Sequence, residues 1–273
     1  MILPLIFFLI LGTAIGSFLN VVAYRSIHGG PIFSGRSVCP HCKHTLSAAD
    51  LIPVISYIAL QGKCRYCKKK ISAQYPIVEA AAGLAFAFTY FYWWSRLESI
   101  KYQVSSVMYL DIISLIFLLF VVSVLIVLTV TDIVDGLLPN SIILSSTAVV
   151  VVYKLFLVFI GADTFSSLSV DLISAFFTAL AFLAIVYVSR EKALGGGDVK
   201  LVFLLGLIVG WPLVLIALFL AFLTGGLVAV MLILLGRKRL GQTVPLGPFL
   251  NLGVFISIFW GQHLLDIYLR AIL

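Results

Sequence analysis

The chain has 273 residues, 62% of them hydrophobic and only 11% charged, with a mean hydropathy of +1.19. A soluble domain carries about 25% charged residues, so a water-soluble globular protein is excluded. The apolar runs are continuous rather than alternating, which excludes a transmembrane β-barrel and leaves an all-α polytopic membrane protein. The net charge of +7 does not argue for nucleic acid, because basic residues in such a protein report topology.

Taken in chain order, the apolar runs predict about eight transmembrane helices, near 2–24, 77–95, 109–131, 141–160, 170–189, 199–210, 212–235 and 247–269. The first lacks a preceding basic residue and a small-x-small cleavage site, so it reads as a retained span rather than a signal peptide. The sixth is short for a core about 30 Å thick and ends at Gly210-Trp211-Pro212, which suggests a tilted or partly re-entrant piece. With the N-terminus outside, only Arg96, Lys101, Lys154 and Arg270 of the 18 Lys and Arg fall on the outer side. The positive-inside rule therefore places the 25–76 loop in the cytoplasm.

That loop is the one sizeable soluble piece, and it is too small for a core without a staple. The staple is legible as Cys39-Pro-His-Cys42 and Cys64-Arg-Tyr-Cys67, which together hold all four cysteines of the chain. Two CxxC knuckles 21 residues apart match a four-thiolate zinc-ribbon-like site. Lys43, Lys63, Arg65 and Lys68 favour thiolates there. A reducing inner compartment favours metal over two disulfides. Four sulfurs close the tetrahedron, so the expected zinc is structural.

Acids at span ends are costly, and each needs a reason. For Asp111, Asp171 and Asp266 near outer span ends, and Asp163 in an outer loop, a cap or a solvated end suffices. Asp132 and Asp135 in TDIVDGLLPN and Asp198 in GGGDVK are different. Span three runs inward to Asp132 and span six begins at Asp198, so the two arrive at one membrane depth. Two close carboxylates share a proton, one activating water and the other protonating the carbonyl or leaving amine. Asp198 opens a helix and is the expected carboxylate; Asp132 closes one and is the expected proton carrier. Gly195, Gly196 and Gly197 then allow φ > 0 and close approach of an extended substrate; a flexible linker is the plainer reading. The run is neither a dinucleotide fingerprint nor a phosphate loop. Lys200 points away from Asp198 and is expected to snorkel to lipid phosphate.

These stretches together resemble a family. GGGDVKL looks like the GxGD signature of intramembrane aspartic peptidases. With GSFLNVVAYR, CPHC, DLIPVISYIALQGKCRYCKKKIS, YPIVE, TDIVDGLLPN and PLGPFL in order, the chain resembles the bacterial type IV prepilin peptidase/N-methyltransferases. The resemblance implies cleavage of the basic leader of type IV prepilins or type II secretion pseudopilins at the cytoplasmic face of the inner membrane. It also implies N-methylation of the new N-terminus with S-adenosylmethionine. The family's aspartate, seven positions before the proline of the LLP run, selects Asp132 over Asp135, and the second aspartate is Asp198. Lys63 and Glu79 match positions to test for methyl transfer, although loop solubility and helix capping explain them equally well. The chain then divides into a first helix (1–24), a zinc-binding, methyltransferase-associated loop (25–76) and a transmembrane aspartic peptidase domain (77–273). DLIP departs from the tryptophan and asparagine that many relatives carry before this proline.

Other classes fit less well. A transporter predicts midplane acids and repeat symmetry. A zinc-ribbon membrane adaptor leaves the aspartates unexplained, and a metalloprotease lacks HExxH among His28, His41, His44 and His263.

Overall fold

An apolar segment in lipid must satisfy its backbone internally, so these runs become helices. The computed structural model describes residues 2–32, 34–100, 108–191, 194–239 and 244–272. The helices are α1 (Ile2–His28), α2 (Ile55–Ala59), α3 (Gln74–Ile100), α4 (Met108–Asp135), α5 (Asn140–Phe159), α6 (Phe165–Ser189), α7 (Gly196–Val209), α8 (Leu213–Leu234) and α9 (Gly247–Ile272), with a 3-10 turn at Ala48–Leu51. Among the described residues there are no strands, only isolated bridges pairing Val38 with Thr45 and Lys63 with Lys70.

Each expected span corresponds to a helix, but among the described residues only α1, α4, α5, α6, α8 and α9 are long and apolar enough to cross a membrane. The molecule is thus a multi-pass membrane protein. α3 is long, yet Glu79, Arg96 and a run of tyrosines and tryptophans dilute its apolar character. α7 has 14 residues, about 21 Å of helix at 1.5 Å per residue. Its Leu201, Val202, Leu204, Leu205 and Leu207 are all buried, as expected of a helix that is apolar all round and packed by protein rather than lipid. Its neighbours are α5, α6, α8 and α9.

The chain forms two compact units, residues 1–130 and 131–273. In the first, α1 packs on α3 through small residues. A Cβ at Gly12 would lie 2.7 Å from the Ala82 carbonyl oxygen, and one at Gly16 would lie 2.8 Å from the Ala82 Cβ. Glycines four apart let two backbones approach closely without lipid-facing bulk. Because α1 continues to His28 and α3 begins at Gln74, the loop between them is shorter than the expected 25–76. In the second unit the same device joins α8 to α9, where a Cβ at Gly253 would come 2.2 Å from the Ala217 carbonyl oxygen. It also joins α6 to α7, where a Cβ at Gly206 would come 2.9 Å from the Ala175 Cα.

Candidate active site and metal centre

In the first unit the two CxxC segments fold as matching knuckles. The Cys39 amide donates to the His44 carbonyl and the Lys43 amide to Cys39, both at 2.9 Å; Cys64 to Lys69 and Lys68 to Cys64 repeat the pattern at 2.9 and 3.0 Å. Lys43 and Lys68 occupy equivalent left-handed positions, at φ 56° and 59°. The four Sγ atoms lie within 4.8 Å of one another, and Cys39 and Cys67 are 3.9 Å apart. A tetrahedron with metal–sulfur bonds of ~2.3 Å has edges of about 3.8 Å, so the donor set fits a metal of that type. Burial raises the Cys39 thiol, but amides of Cys42 and His41 outweigh it and hold it at about 7. At Cys42 the His44 amide lowers the thiol, while burial and the other three sulfurs push it up to about 11. Four sulfurs this close together, with one thiol lowered and one raised by its neighbours, favour a shared cation.

The knuckles are tied together by Asp50. Its carboxylate accepts from Arg65 Nε at 2.6 Å, Ser47 Oγ at 2.8 Å and Tyr66 Oη at 3.1 Å. The aspartate of the divergent DLIP segment therefore has a structural role. Of the methyl-transfer candidates, Glu79 is buried and accepts from the Val54 amide at 2.7 Å. It also lines a cavity at the loop ends of α1 and α3. Lys63 is exposed on the loop and is not among the residues lining that cavity.

In the second unit, the end of α4 and the starts of α7 and α9 converge. Asp132 is buried in the last turn of α4, and its Oδ2 accepts from the Gly247 amide at 2.9 Å. The first amides of a helix have no intrahelical acceptor, and α9 spends one on this carboxylate. A Cβ at Gly247 would lie 2.6 Å from the same oxygen. Asp198 lies in the first turn of α7, close enough for its charge to repel that of Asp132. Its Oδ2 accepts from the Gly195 amide at 3.0 Å. Among the described residues, no lysine or arginine pairs with either acid. Asp135, the other aspartate of the segment, is half-buried at the very end of α4.

The glycine run works differently from expectation. Gly195 is extended, at φ −83° and ψ 154°, and none of the three glycines has positive φ. Their use is close approach: a Cβ at Gly197 would come 3.3 Å from the Leu138 Cβ, so the LLP segment lies against the start of α7. Gly195 and Gly196 are exposed, and no atom lies within 4 Å of a Cβ placed at Gly196.

Two expectations need correction. Lys200 donates to Asn140 Oδ1 at 2.8 Å, a protein acceptor at the start of α5 rather than lipid. Asp171 is neither a cap nor a solvated end. It is buried, paired with Lys154 of α5, and accepts from the Trp211 amide at 3.1 Å. The cap of α6 is Thr164, whose Oγ1 accepts from the Ser167 amide at 3.2 Å; Asp163 precedes it and accepts from the Thr164 amide at 2.7 Å. Gly247 was not legible as a site residue. Its stretch, PLGPFL, was noted, but the contact that gives it meaning lies 115 positions away.

Residues 10–93 match the bacterial peptidase A24 N-terminal domain, and residues 119–230 match the type IV leader peptidase family. Three similar proteins are named prepilin leader peptidase/N-methyltransferase. The one from Stutzerimonas stutzeri is 28% identical over 96% of this chain and 92% of its own length. That of Bacillus subtilis is 28% identical over 97% of both chains, and that of Pseudomonas aeruginosa 27% identical over 98% of this chain and 95% of its own. No solved structure gives a significant match.

Proposed function

Because this chain belongs to the type IV leader peptidase family, we propose that it removes the basic leader of a type IV prepilin or type II secretion pseudopilin and then N-methylates the new N-terminus. The observation that carries the first half is the closeness of Asp132 and Asp198, with no cation paired to either among the described residues. Each acid has its Oδ2 engaged by a backbone amide, which leaves Oδ1 of each for water or substrate. In the assignment we favour, ionised Asp198 takes a proton from water as the oxygen attacks the scissile carbonyl carbon. Protonated Asp132 donates to the carbonyl oxygen; as the tetrahedral intermediate collapses, Asp198 passes the proton taken from water to the leaving amine and Asp132 recovers its own. The exposed Gly195 and Gly196 then line the approach of the extended scissile segment.

In the second half the acceptor is the amine freed by cleavage. A nitrogen–methyl bond forms as the methyl–sulfur bond of S-adenosylmethionine breaks, the amine releases one proton, and S-adenosylhomocysteine leaves. Cys39, Cys42, Cys64 and Cys67 would hold a structural zinc that shapes the loop for this step. We assign the loop to methyl transfer and residues 77–273 to peptide cleavage. We place the N-terminus outside and the active site at the cytoplasmic face of the inner membrane, from the distribution of basic residues.

The test is cleavage and methylation of a model prepilin by wild type, Asp132→Asn, Asp135→Asn and Asp198→Asn, read by mass spectrometry of the product. Loss of cleavage in Asp132→Asn and Asp198→Asn alone, with a pre-cleaved substrate still methylated, is the expected result. Substantial cleavage by either variant removes the aspartic mechanism.

A further inference from the structure

The cavity beside Glu79 is lined by buried acceptors and by arginines. Its inner wall holds two buried acceptors. Asn20, 4% exposed, spends its Nδ2 on the Gly16 and Tyr75 carbonyls, each at 3.3 Å, and its Oδ1 has no donor. Glu79, 8% exposed, sits one helical turn beyond Tyr75 and receives a single amide, that of Val54. Among the described residues no cation pairs with it. An enclosed carboxylate with no counter-charge, next to an amide oxygen with no donor, is costly unless a ligand completes it. What both lack is a cation bearing N–H groups. The outer wall has the opposite character. Arg25 lines it while donating to the Pro31 and Ser34 carbonyls. Arg36 also lines it, exposed and with no hydrogen bond or ion pair among the described residues. Tyr57 and Tyr75 supply aromatic faces, and Cys39 and Cys64 place the metal knuckles in the same wall.

Resting on the methyl-transfer reading above, we propose that this cavity binds the methyl donor through its amino-acid end. The α-ammonium donates to Asn20 Oδ1 and Glu79, and the carboxylate meets Arg36 and Arg25. The nucleoside lies toward the open, tyrosine-lined side. Size supports this orientation. At about 270 Å³ the cavity falls just below the roughly 300–1,000 Å³ of drug-sized ligand sites, so it encloses an amino-acid moiety and leaves a nucleoside partly in solvent. The knuckles hold the outer wall in place, which gives the metal a purpose in methylation without a place in the chemistry.

The test is calorimetric binding of two unreactive probes to the full chain in lipid nanodiscs. S-adenosylhomocysteine carries the amino-acid end; 5′-methylthioadenosine lacks it. For Glu79→Gln and Asn20→Leu we expect S-adenosylhomocysteine to weaken about tenfold or more, the scale of a lost charge-assisted hydrogen bond, with 5′-methylthioadenosine unchanged. Arg36→Ala, at an exposed position that does not threaten folding, should weaken S-adenosylhomocysteine alone by about threefold to tenfold. Equal loss of both probes, or unchanged binding of both, in Arg36→Ala and the two buried variants overturns the assignment. If wild type methylates a pre-cleaved pilin yet the variants bind as it does, only the cavity assignment falls. If wild type neither binds S-adenosylmethionine nor methylates, the methyl-transfer reading falls, and this inference with it.

Discussion

Asp132 and Asp171 lie in the same unit and are equally buried, each 8% exposed, yet they are compensated in opposite ways. Asp171 has a lysine against one oxygen and the Trp211 amide on the other. Asp132 has one amide, from Gly247, and a second acid as its neighbour. The sites flank opposite ends of α7, about 20 Å apart at 1.5 Å per residue. A buried charge that is paired and hydrogen-bonded on both oxygens is inert. One left facing another acid must share a proton, and a shared proton is a reagent. Burial alone therefore does not mark chemistry; incomplete compensation does.

The strongest way to break this contrast is to neutralise the acids one at a time. Asp132→Asn and Asp198→Asn should each lower kcat for leader cleavage by up to about 10⁴-fold, the upper range of acid–base catalysis, with the unfolding temperature in detergent held near wild type. The reverse pattern belongs to the other site. Lys154→Met leaves Asp171 buried without its cation and should cost about 3–5 kcal/mol of stability. The double variant Lys154→Met/Asp171→Leu should recover most of that loss. A Lys154→Met protein as stable as wild type would show that the pair is replaceable without penalty. Slower turnover without lost stability would show that it belongs to catalysis after all.

Gly247→Ala probes the boundary between the two behaviours, because it alters placement and leaves every charge in position. An added Cβ lands 2.6 Å from Asp132 Oδ2, so either the carboxylate or the start of α9 must shift. Displacing a reacting group by about 1 Å costs ~10²-fold in rate. We expect kcat to fall by that order with little change in KM. A change confined to KM would put Gly247 in substrate binding instead.

The sequence was readable where meaning is local or periodic. Continuous apolar runs give helices because lipid leaves the backbone no other partner, and the CxxC spacing gives the metal loop because thiolate geometry is rigid. Asp132 and Asp198 stood out through helix ends and motif. Pairings set by tertiary packing did not. Lys154 in the apolar α5 and Asp171 in α6 are opposite charges in adjacent spans, a combination that suggests pairing, yet each alone resembles a snorkelling or capping residue. The three glycines announced freedom of φ, and the fold uses the space left by a missing Cβ instead. Asn20 offered no signal at all, since an unfilled acceptor exists only once α1 and α3 have packed around it.

Asp50 falls between the two extremes and sharpens the comparison at its quiet end. Its side chain is 3% exposed while that of its partner Arg65 is 49% exposed, so the cation remains solvated and the pair is worth about 1 kcal/mol or less. Burial raises the carboxyl, but donors from Arg65, Ser47 and Tyr66 outweigh it and hold it at about 2, against 3.8 for a free group. A depressed carboxyl contributes stability that is complete above the unfolded value and fades as pH falls through the folded one. Asp50 thus stays ionised where Cys39, at about 7, and Cys42, at about 11, take up protons. Metal release on acidification is then governed by the sulfurs. Asp50→Asn should weaken metal binding by no more than about fivefold, by the same factor at every pH, and should leave the midpoint of acid release where wild type has it. Metal titrations at several pH values measure both quantities, and a midpoint that moves with the substitution would mean that Asp50 loses its charge alongside the thiolates, contrary to the enclosure its three donors provide.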